Sequence, residues 1–280
     1  MRTKKVIRTS FAAIFILIIA QMIAQSFASL FAIMKIPSGI CNIIAGILYL
    51  GLTYLILQLF ICKIIKLPIS EFGMPKLGMK IRWIVIAVLL PFVIKGSYLF
   101  LFDGKYVSSN MNEQQIFNTL SAGIAFSGIA VGFVEEMVFR GVILNAFKKR
   151  WNIKVAVAVP SMLFGIVHVL GQDFSIGSSL FVVIAGTMAG IMFSMIAIEG
   201  GSVWNSVIVH AVWNIVMIGG GLAIGEKMDQ YSVMTYVLHS KDIAITGGAF
   251  GIEASVISLS GYIIVAGIAF FMMKSSKKLV

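Results

Sequence analysis

A short cluster of ionisable residues interrupts an otherwise apolar part of the sequence. The segment GFVEEMVFR holds Glu135, Glu136 and Arg140, and long apolar runs flank it on both sides. Glu136 and Arg140 are four residues apart with the acid first, which predicts an ion pair on one face of a helix. Glu135 points about 100° away from Glu136 on such a helix, so its carboxylate is left without that partner. The alternative is a structural role for both acids, which would then hold a helical bundle together.

Two later apolar stretches carry the remaining candidate side chains. His168 ends the sequence FGIVH, while His210 and Asn214 begin and end HAVWN. His210 and Asn214 are four residues apart and therefore share one helix face. A lone histidine in such a stretch also fits a simple hydrogen bond between helices, because polar side chains often join membrane helices.

These residue types together predict hydrolysis by an activated water molecule. A carboxylate without a cationic partner, in a medium of low dielectric constant, can act as a general base. A histidine beside it can hold the water or share a metal ion, and a second histidine with an asparagine can donate hydrogen bonds to an oxyanion. The sequence places no serine or cysteine as a paired nucleophile, so water is the expected attacker on an amide bond.

The elements that must position these residues are membrane helices. Hydrophobic residues make up 59% of the 280 and charged residues 12%, and the mean hydropathy is +1.01, outside the range of soluble domains. A spanning helix needs about 20 apolar residues. Apolar runs at about 11–34, 40–62, 81–101, 116–147, 155–171, 177–198, 203–220 and 254–273 predict eight of them. We therefore expect an all-α polytopic membrane helical bundle, a single domain over 1–280 with its motif-bearing core at about 116–220.

The charges predict the orientation of this bundle. The net charge is +11, but the basic residues flank alternate connections, which is the positive-inside pattern and not a nucleic-acid footprint. The termini and the connections that are rich in basic residues contain Arg2, Lys4, Lys5, Arg8, Lys63, Lys66, Lys76, Lys80, Arg82, Lys148, Lys149, Arg150, Lys154, Lys274, Lys277 and Lys278. The other connections hold Lys35, Lys105, Lys227 and Lys241. Both termini are expected in the cytoplasm.

This orientation allows the depths of the candidate residues to be compared. At about 1.5 Å per residue, Glu135, His168 and Asn214 each lie roughly 20 Å from the cytoplasmic ends of their helices, and His210 lies about 15 Å in. Four polar groups on three helices thus reach similar depth, and Glu135, His168 and Asn214 lie past the middle of a hydrocarbon layer of about 30 Å. The sequence predicts a hydrated cavity there, with a weak preference for a mouth on the outer side.

The three motifs resemble those of a known family of membrane proteases. The CAAX-protease and bacteriocin-processing proteins, also called CPBP or Abi proteins, carry EExxxR, then FxxxH, then HxxxN, and they are related to the eukaryotic prenyl-protein endopeptidase. Here the motifs are Glu135-Glu136-x-x-x-Arg140, Phe164-x-x-x-His168 and His210-x-x-x-Asn214, complete and in order. They span about 80 residues of the chain, on successive predicted membrane helices.

The resemblance implies an intramembrane endopeptidase with assigned roles. It implies that Glu135 and His168 activate water, that His210 and Asn214 stabilise the oxyanion, and that Glu136 and Arg140 support them. The family has been described both as metallo- and as glutamate-type proteases. One carboxylate and two histidines can bind Zn²⁺ with an open position, so Glu135, His168 and His210 are candidate zinc ligands, and metal-dependent and metal-free chemistry both fit the sequence.

The substrate class and two other functions stay open at this point. The expected substrate is a membrane-associated peptide or protein, and basic connections without an organelle address suit a bacterial cell membrane. Peptide maturation, or self-immunity to a bacteriocin, is therefore favoured over cleavage of prenylated proteins. An ion-coupled transporter would also place such residues at midplane, although the chain has no matching broken helices in two halves. A non-catalytic membrane scaffold or immunity protein is the other alternative.

Three further charged residues lie close to the apolar runs. Lys95 follows Pro91 in the third run, and it is expected either to reach towards the membrane surface or to line a cavity. Glu199 and Glu253 lie near helix ends, where contact with solvent is the default expectation. The family resemblance extends loosely to GIEAS around Glu253, which makes this residue a minor candidate for the site.

Overall fold

The bundle has the predicted helices. The computed structural model describes residues 1–74, 77–170, 172 and 174–275, so Lys76, Lys277 and Lys278 of the charge pattern lie outside the described residues. Within the described residues, eight helices are α1 Thr3–Ile33, α2 Ser38–Ile65, α3 Ile81–Leu101, α4 Glu113–Lys148, α5 Ile153–Val167, α6 Ile176–Gly200, α7 Trp204–Ile218 and α8 Val256–Ser275. Each corresponds to one apolar run of the sequence. The polytopic helical fold is confirmed.

Two of the eight helices are too short to cross a membrane alone. Six helices are long and apolar enough to do so, whereas α5 and α7 have 15 residues each. At about 1.5 Å per residue, these two measure about 22 Å, short of a hydrocarbon layer of about 30 Å. The run expected at 155–171 was predicted too long, because α5 ends at Val167 in a tightened turn, where the amide of Val169 donates to the carbonyl of Ile166. His168 therefore ends a helix that stops within the bundle.

The motif-bearing helix α4 lies at the centre of the packing. It contacts α1, α2 and α7, while α5 packs against α6, and α6 against α8. A glycine lets α4 and α7 come close: a Cβ at Gly132 would lie 3.0 Å from the Cα of Ala211, beside the first motif. The pair Gly186 and Gly190 likewise brings α6 against α5, because a Cβ at Gly186 would lie 2.8 Å from the Cα of Gly165.

Helix α4 is not a regular α-helix along its whole length. It has π-helical stretches at Ala122–Val131 and Met137–Ile143, on either side of the α-helical segment Gly132–Glu136 that carries both glutamates. Such π-helical turns occur often at functional sites, since they change the direction of side chains. The apolar periodicity of the sequence gave no sign of them.

A small β-sheet, which the sequence analysis did not predict, covers one end of the bundle. Its strands are β1 Gly104–Ser108, β2 Leu222–Gly225 and β3 Met234–Leu238, in the order β1-β3-β2. Strand β1 is antiparallel to β3, and β2 is parallel to it. The strands follow the ends of α3 and α7, which the predicted orientation places on the outer side. The sequence MTYVL of β3 is rich in aromatic and β-branched residues, which favour strands.

Glu199 is buried, contrary to the expectation of solvent contact. Only 2% of its surface is exposed. Its carboxylate accepts hydrogen bonds from Lys80 Nζ at 3.0 Å and from Trp83 Nε1 at 2.8 Å, and it also pairs with Arg82. The expectation was wrong because the end of α6 lies against the beginning of α3, whose basic residues neutralise the acid.

Lys95 neither reaches the membrane surface nor lies in open space. It is buried, and its ammonium group donates to the carbonyls of Val216 and Leu222. The carbonyls near the C-terminus of a helix attract a cation, so Lys95 joins α3 to the end of α7 and to the first residue of β2.

Candidate active site

The predicted ion pair of the first motif is confirmed. Arg140 Nη1 donates to Glu136 Oε1 at 2.7 Å, and the two residues are 2% and 0% exposed. The guanidinium also lies over the ring of Phe164, with Cζ 4.2 Å from the ring centroid. The aromatic residue of the second motif therefore packs on the cation of the first.

Glu136 has a second partner that the sequence did not predict. His210 Nδ1 lies 2.9 Å from Glu136 Oε1. An ionised carboxylate can only accept hydrogen bonds, so this contact assigns the proton of the imidazole to Nδ1. The ring of His210 also stacks on Phe193, with centroids 4.5 Å apart and an interplanar angle of 15°. The orientation of His210 is thus fixed by a hydrogen bond on one side and by a parallel ring on its face.

Glu135 is the acid that the ion pair leaves free. Its side chain is 19% exposed, and Oε2 lies 3.8 Å from Nε2 of His210. That distance is beyond a direct hydrogen bond. Among the described residues, His210 rather than His168 is the histidine with a nitrogen within 4 Å of this carboxylate. The close approach of α4 and α7 at Gly132 brings the two glutamates and His210 together.

His168 lies at the end of the short helix α5. Its Nδ1 lies 2.6 Å from the carbonyl oxygen of Phe164, which must accept, so Nδ1 is the donor. The imidazole also packs against the Phe164 ring, with centroids 4.5 Å apart. One phenylalanine therefore stands between Arg140 and His168 and positions both.

A small cavity brings the second and third motifs together. It has a volume of about 60 Å³, and its lining includes His168, His210, Asn214 and Glu253. Three of the four residues predicted as catalytic thus face one space, although they come from α5 and α7. Glu135 lies beside the same His210, next to its Nε2 atom. The rest of the lining is mainly apolar and aromatic, which lowers the local dielectric constant.

Asn214 has one hydrogen-bond donor in use and one remaining. Its Nδ2 donates to the carbonyl of Ser127 at 3.0 Å. Ser127 belongs to the π-helical stretch Ala122–Val131 of α4, so this bond ties α7 to the distorted part of α4. A carboxamide nitrogen carries two protons, which leaves the second proton of Asn214 for another acceptor.

Glu253 is a residue of this cavity that the sequence analysis treated as solvent-exposed by default. It is only partly exposed, and its Oε1 accepts from Trp213 Nε1 at 2.7 Å. Burial raises the pKa of its carboxyl group, and the bond from Trp213 and the nearby His168 oppose that rise. Full contact with solvent is prevented because Glu253, in the turn Ile252–Ala254, lies against Trp213 of α7. The loose match of GIEAS was the sequence signal for this position.

The proposed zinc ligands do not form a metal site in this arrangement. Among the described residues, no three His, Cys, Asp or Glu side chains are grouped so that they could hold a metal ion. Glu135 approaches Nε2 of His210, but His168 has its nearest partner in Phe164. The donor set among the described residues therefore does not fit Zn²⁺.

The motif-bearing part of the chain matches a known family. Residues 116–216 match the family model of the type II CAAX prenyl endopeptidases, Rce1-like. This segment covers a little over a third of the chain and includes all three motifs, so the resemblance found in the sequence is confirmed. The match supports a membrane-embedded endopeptidase of the CAAX type that acts on peptide substrates. No curated protein and no solved structure matches the chain.

Proposed function

We propose that this protein is an intramembrane endopeptidase that hydrolyses peptide bonds with water activated by Glu135. One observation carries this proposal: the unpaired carboxylate of Glu135 faces Nε2 of His210 across 3.8 Å. A water molecule that hydrogen-bonds to both groups fits such a separation, whereas a direct bond does not. The neighbouring Glu136 is neutralised by Arg140, so Glu135 is the carboxylate available as a base.

The tautomer of His210 supports a role in holding the nucleophile. With its proton on Nδ1 and directed to Glu136, neutral His210 presents a lone pair at Nε2. The water then donates one hydrogen bond to Glu135 and one to His210, which leaves its oxygen lone pair free to attack. The resemblance implied that His210 stabilises the oxyanion, but a neutral ring with this tautomer has no proton at Nε2 to donate.

The remaining groups are suited to the later proton transfers. The bound water loses a proton to Glu135 as its oxygen bonds to the carbonyl carbon, and the carbonyl oxygen becomes an oxyanion. The second amide proton of Asn214 stabilises that oxyanion. As the carbon–nitrogen bond breaks, the proton held by Glu135 passes to the leaving amine, directly or through His168. No metal ion takes part in these steps.

The substrate is proposed to be a membrane-associated peptide or protein in a bacterial cell membrane. The basic connections and the predicted cytoplasmic termini support that location, and they suit peptide maturation or self-immunity to a bacteriocin more than cleavage of prenylated proteins. The six helices that are long and apolar enough to cross a membrane support a substrate that is itself associated with the membrane.

Peptide release by the purified protein tests this function. The protein is reconstituted in liposomes with a library of quenched fluorescent decapeptides, and Glu135→Gln is compared with Glu71→Gln, an acid of an exposed ion pair. We expect cleavage by the wild type and Glu71→Gln and none by Glu135→Gln, with equal thermal unfolding of all three. Activity of Glu135→Gln within threefold of wild type would reject the general base. Proton-driven solute uptake without cleavage would instead identify a transporter, and neither activity would indicate a scaffold.

A further inference from the structure

A second, larger cavity adjoins the candidate active site. This outer cleft has a volume of about 560 Å³. Its walls are Met217 and Ile218 at the end of α7, residues 223–232 and Thr235 around β2 and β3, and residues 248–253 before α8. Phe250 and Glu253 line the outer cleft and also the small cavity that contains His168 and His210. The outer cleft therefore adjoins the cavity that contains these histidines.

The predicted orientation places the outer cleft on the side of the membrane opposite the basic connections. All of its residues belong to the end of α7 and to the connection between α7 and α8. This connection, residues 219–255, contains Lys227 and Lys241 against Glu226, Asp229, Asp242 and Glu253, two basic residues against four acidic ones. The chain as a whole has a net charge of +11. The connection is thus acidic in a basic protein.

The walls of the outer cleft share this acidic character. Glu226, Asp229 and Glu253 line it, and Lys227 is its one basic residue within the described part of the chain. Charges that line a cleft attract a ligand segment of the opposite sign. A polypeptide segment with lysine or arginine side chains fits this lining better than an acidic one.

The edge of the sheet offers main-chain hydrogen bonds to such a segment. Strand β2 pairs with β3 on one side, and no strand lies on its other side in the described structure. The amide of Met234 donates to the carbonyl of Gly221, and alternation along the strand then turns the main chain of Leu222 and Ile224 away from β3. Lys95 already occupies the carbonyl of Leu222. Ile224, which lines the outer cleft, has its polar main-chain groups on that edge.

We propose that the outer cleft binds the substrate as an extended basic peptide segment on the outer side of the membrane. This inference rests on the proposed function, and it names the substrate class: a polypeptide whose cleavage site lies at the outer surface, and not a cytoplasmic C-terminal motif. The peptide extends β2 at its free edge, its basic side chains lie near Glu226 and Asp229, and its scissile bond reaches the cavity beyond Glu253.

Gly225 allows the outer cleft to be filled without disturbing the fold. A Cβ at Gly225 would meet only the carbonyl oxygen of Lys227, at 4.0 Å, and its φ angle is not positive. Gly177, near the beginning of α6, is a matched control, because a Cβ there has nothing within 4 Å and it does not line the outer cleft. Gly225→Phe and Gly177→Phe are therefore both expected to fold.

The kinetic test compares these variants on two peptide libraries. Each library consists of quenched fluorescent decapeptides, and the two libraries differ only in that one carries two lysines and the other two glutamates. The constants kcat and KM are measured with the protein in liposomes. We expect the wild type and Gly177→Phe to prefer the basic library at least fivefold in kcat/KM. We expect Gly225→Phe to raise KM at least tenfold, and Glu226→Gln to reduce the preference twofold or more, relative to the exposed control Glu113→Gln. Cleavage without basic preference, or equal KM for Gly225→Phe and Gly177→Phe, would overturn the proposal.

A binding test separates this inference from the proposed function. A photoreactive phenylalanine is placed at Gly225 or at Gly177 in the Glu135→Gln protein, which retains the substrate, and the biotinylated basic library is crosslinked to it. Stronger crosslinking at position 225 than at position 177, together with no cleavage by the wild type, would support peptide binding in the outer cleft and reject the protease. Equal capture at both positions, with cleavage by the wild type, would reject the outer cleft while the protease stands.

Accessibility of the same position tests the side of the membrane. With Cys41 and Cys62 replaced by alanine, Gly225→Cys is treated in intact cells with a membrane-impermeant thiol reagent. Lys154→Cys, at an exposed position in the first turn of α5 beside the basic connection, serves as the cytoplasmic control. We expect labelling at position 225 in intact cells and at position 154 only after permeabilisation. The reverse result would place the outer cleft in the cytoplasm and overturn the proposal.

Discussion

Removing Glu136 from the buried ion pair of α4 should lower the stability of the protein more than removing Arg140. Glu136 accepts from both Arg140 and His210, so Glu136→Leu removes the partner of two groups. Arg140→Met leaves Glu136 with one of its two partners, because Nδ1 of His210 still donates to its carboxylate. Removing one member of a buried pair costs about 3–5 kcal/mol. We expect Glu136→Leu near the upper end of this range and Arg140→Met near the lower end.

The double variant Glu136→Leu/Arg140→Met should recover much of the loss. It leaves no unpaired charge, and apolar replacement of a buried ion pair is often close to neutral. His210 would still lack its acceptor, which costs about 1–3 kcal/mol. Exchanging the two charges should recover less, because it places a guanidinium beside the Nδ1 proton of His210. Activity should not return in either case, since His210 loses the bond that orients it.

Unfolding in mixed detergent micelles measures these differences. In a Cys62→Ser background, a thiol-reactive dye reports exposure of the buried Cys41. The control is the exposed ion pair of Lys149 and Glu71, in which Nζ lies 2.5 Å from Oε2. Glu71→Gln should lower the free energy of unfolding by less than about 1 kcal/mol. If Glu136→Leu and Arg140→Met are as stable as Glu71→Gln and yet inactive, then the ion pair is not structural, and its members belong to the chemistry.

Three further outcomes follow from the geometry. A strong chelator should leave peptide cleavage unchanged, because no three metal-binding side chains converge among the described residues; loss of activity with rescue by Zn²⁺ would contradict this. Gly132→Leu should lower stability by about 1–3 kcal/mol and abolish cleavage, because a Cβ there would already lie 3.0 Å from the Cα of Ala211. Gly51→Leu is the control and should be neutral, because a Cβ at Gly51 has open space around it. Equal unfolding midpoints for the two variants would contradict this expectation. Gln172→Cys, one turn beyond His168, should react with an impermeant thiol reagent from outside intact cells, and labelling only after permeabilisation would place the mouth in the cytoplasm.

The helices were predictable because one physical signal determines them. Each apolar run of about 20 residues must satisfy its own backbone hydrogen bonds in a membrane, and a helix is the structure that does so. The Glu136–Arg140 pair was predictable for a similar reason, since a spacing of four residues fixes the distance between two side chains on one helix. Both inferences need only local sequence.

The missed features depend on contacts between distant segments. Glu199 and Glu253 lie near helix ends, where sequence alone suggests solvent. The contact with Trp83 of α3 helps to bury Glu199, and the contact with Trp213 of α7 leaves Glu253 only partly exposed. Strand β3 pairs with β1, which lies more than 100 residues earlier in the chain, and β2 pairs in turn with β3. The π-helical stretches of α4 also leave no periodic signature. None of these contacts has a spacing rule that could have found it.

The clearest example is His210, whose position changes the chemistry that the motifs imply. The sequence groups His210 with Asn214 because they share a helix face, and the family resemblance groups Glu135 with His168 as the residues that activate water. The structure instead places Nδ1 of His210 on Glu136 and Nε2 towards Glu135, so one imidazole lies between two adjacent carboxylates. The two acids can reach it because they project about 100° apart from α4, and because Gly132 lets α7 approach. Glu136, paired with Arg140, accepts from Nδ1 of the histidine, and the proposed mechanism uses Glu135 as the base. In the proposed mechanism, the position of His210 therefore gives the two adjacent acids of the first motif different tasks.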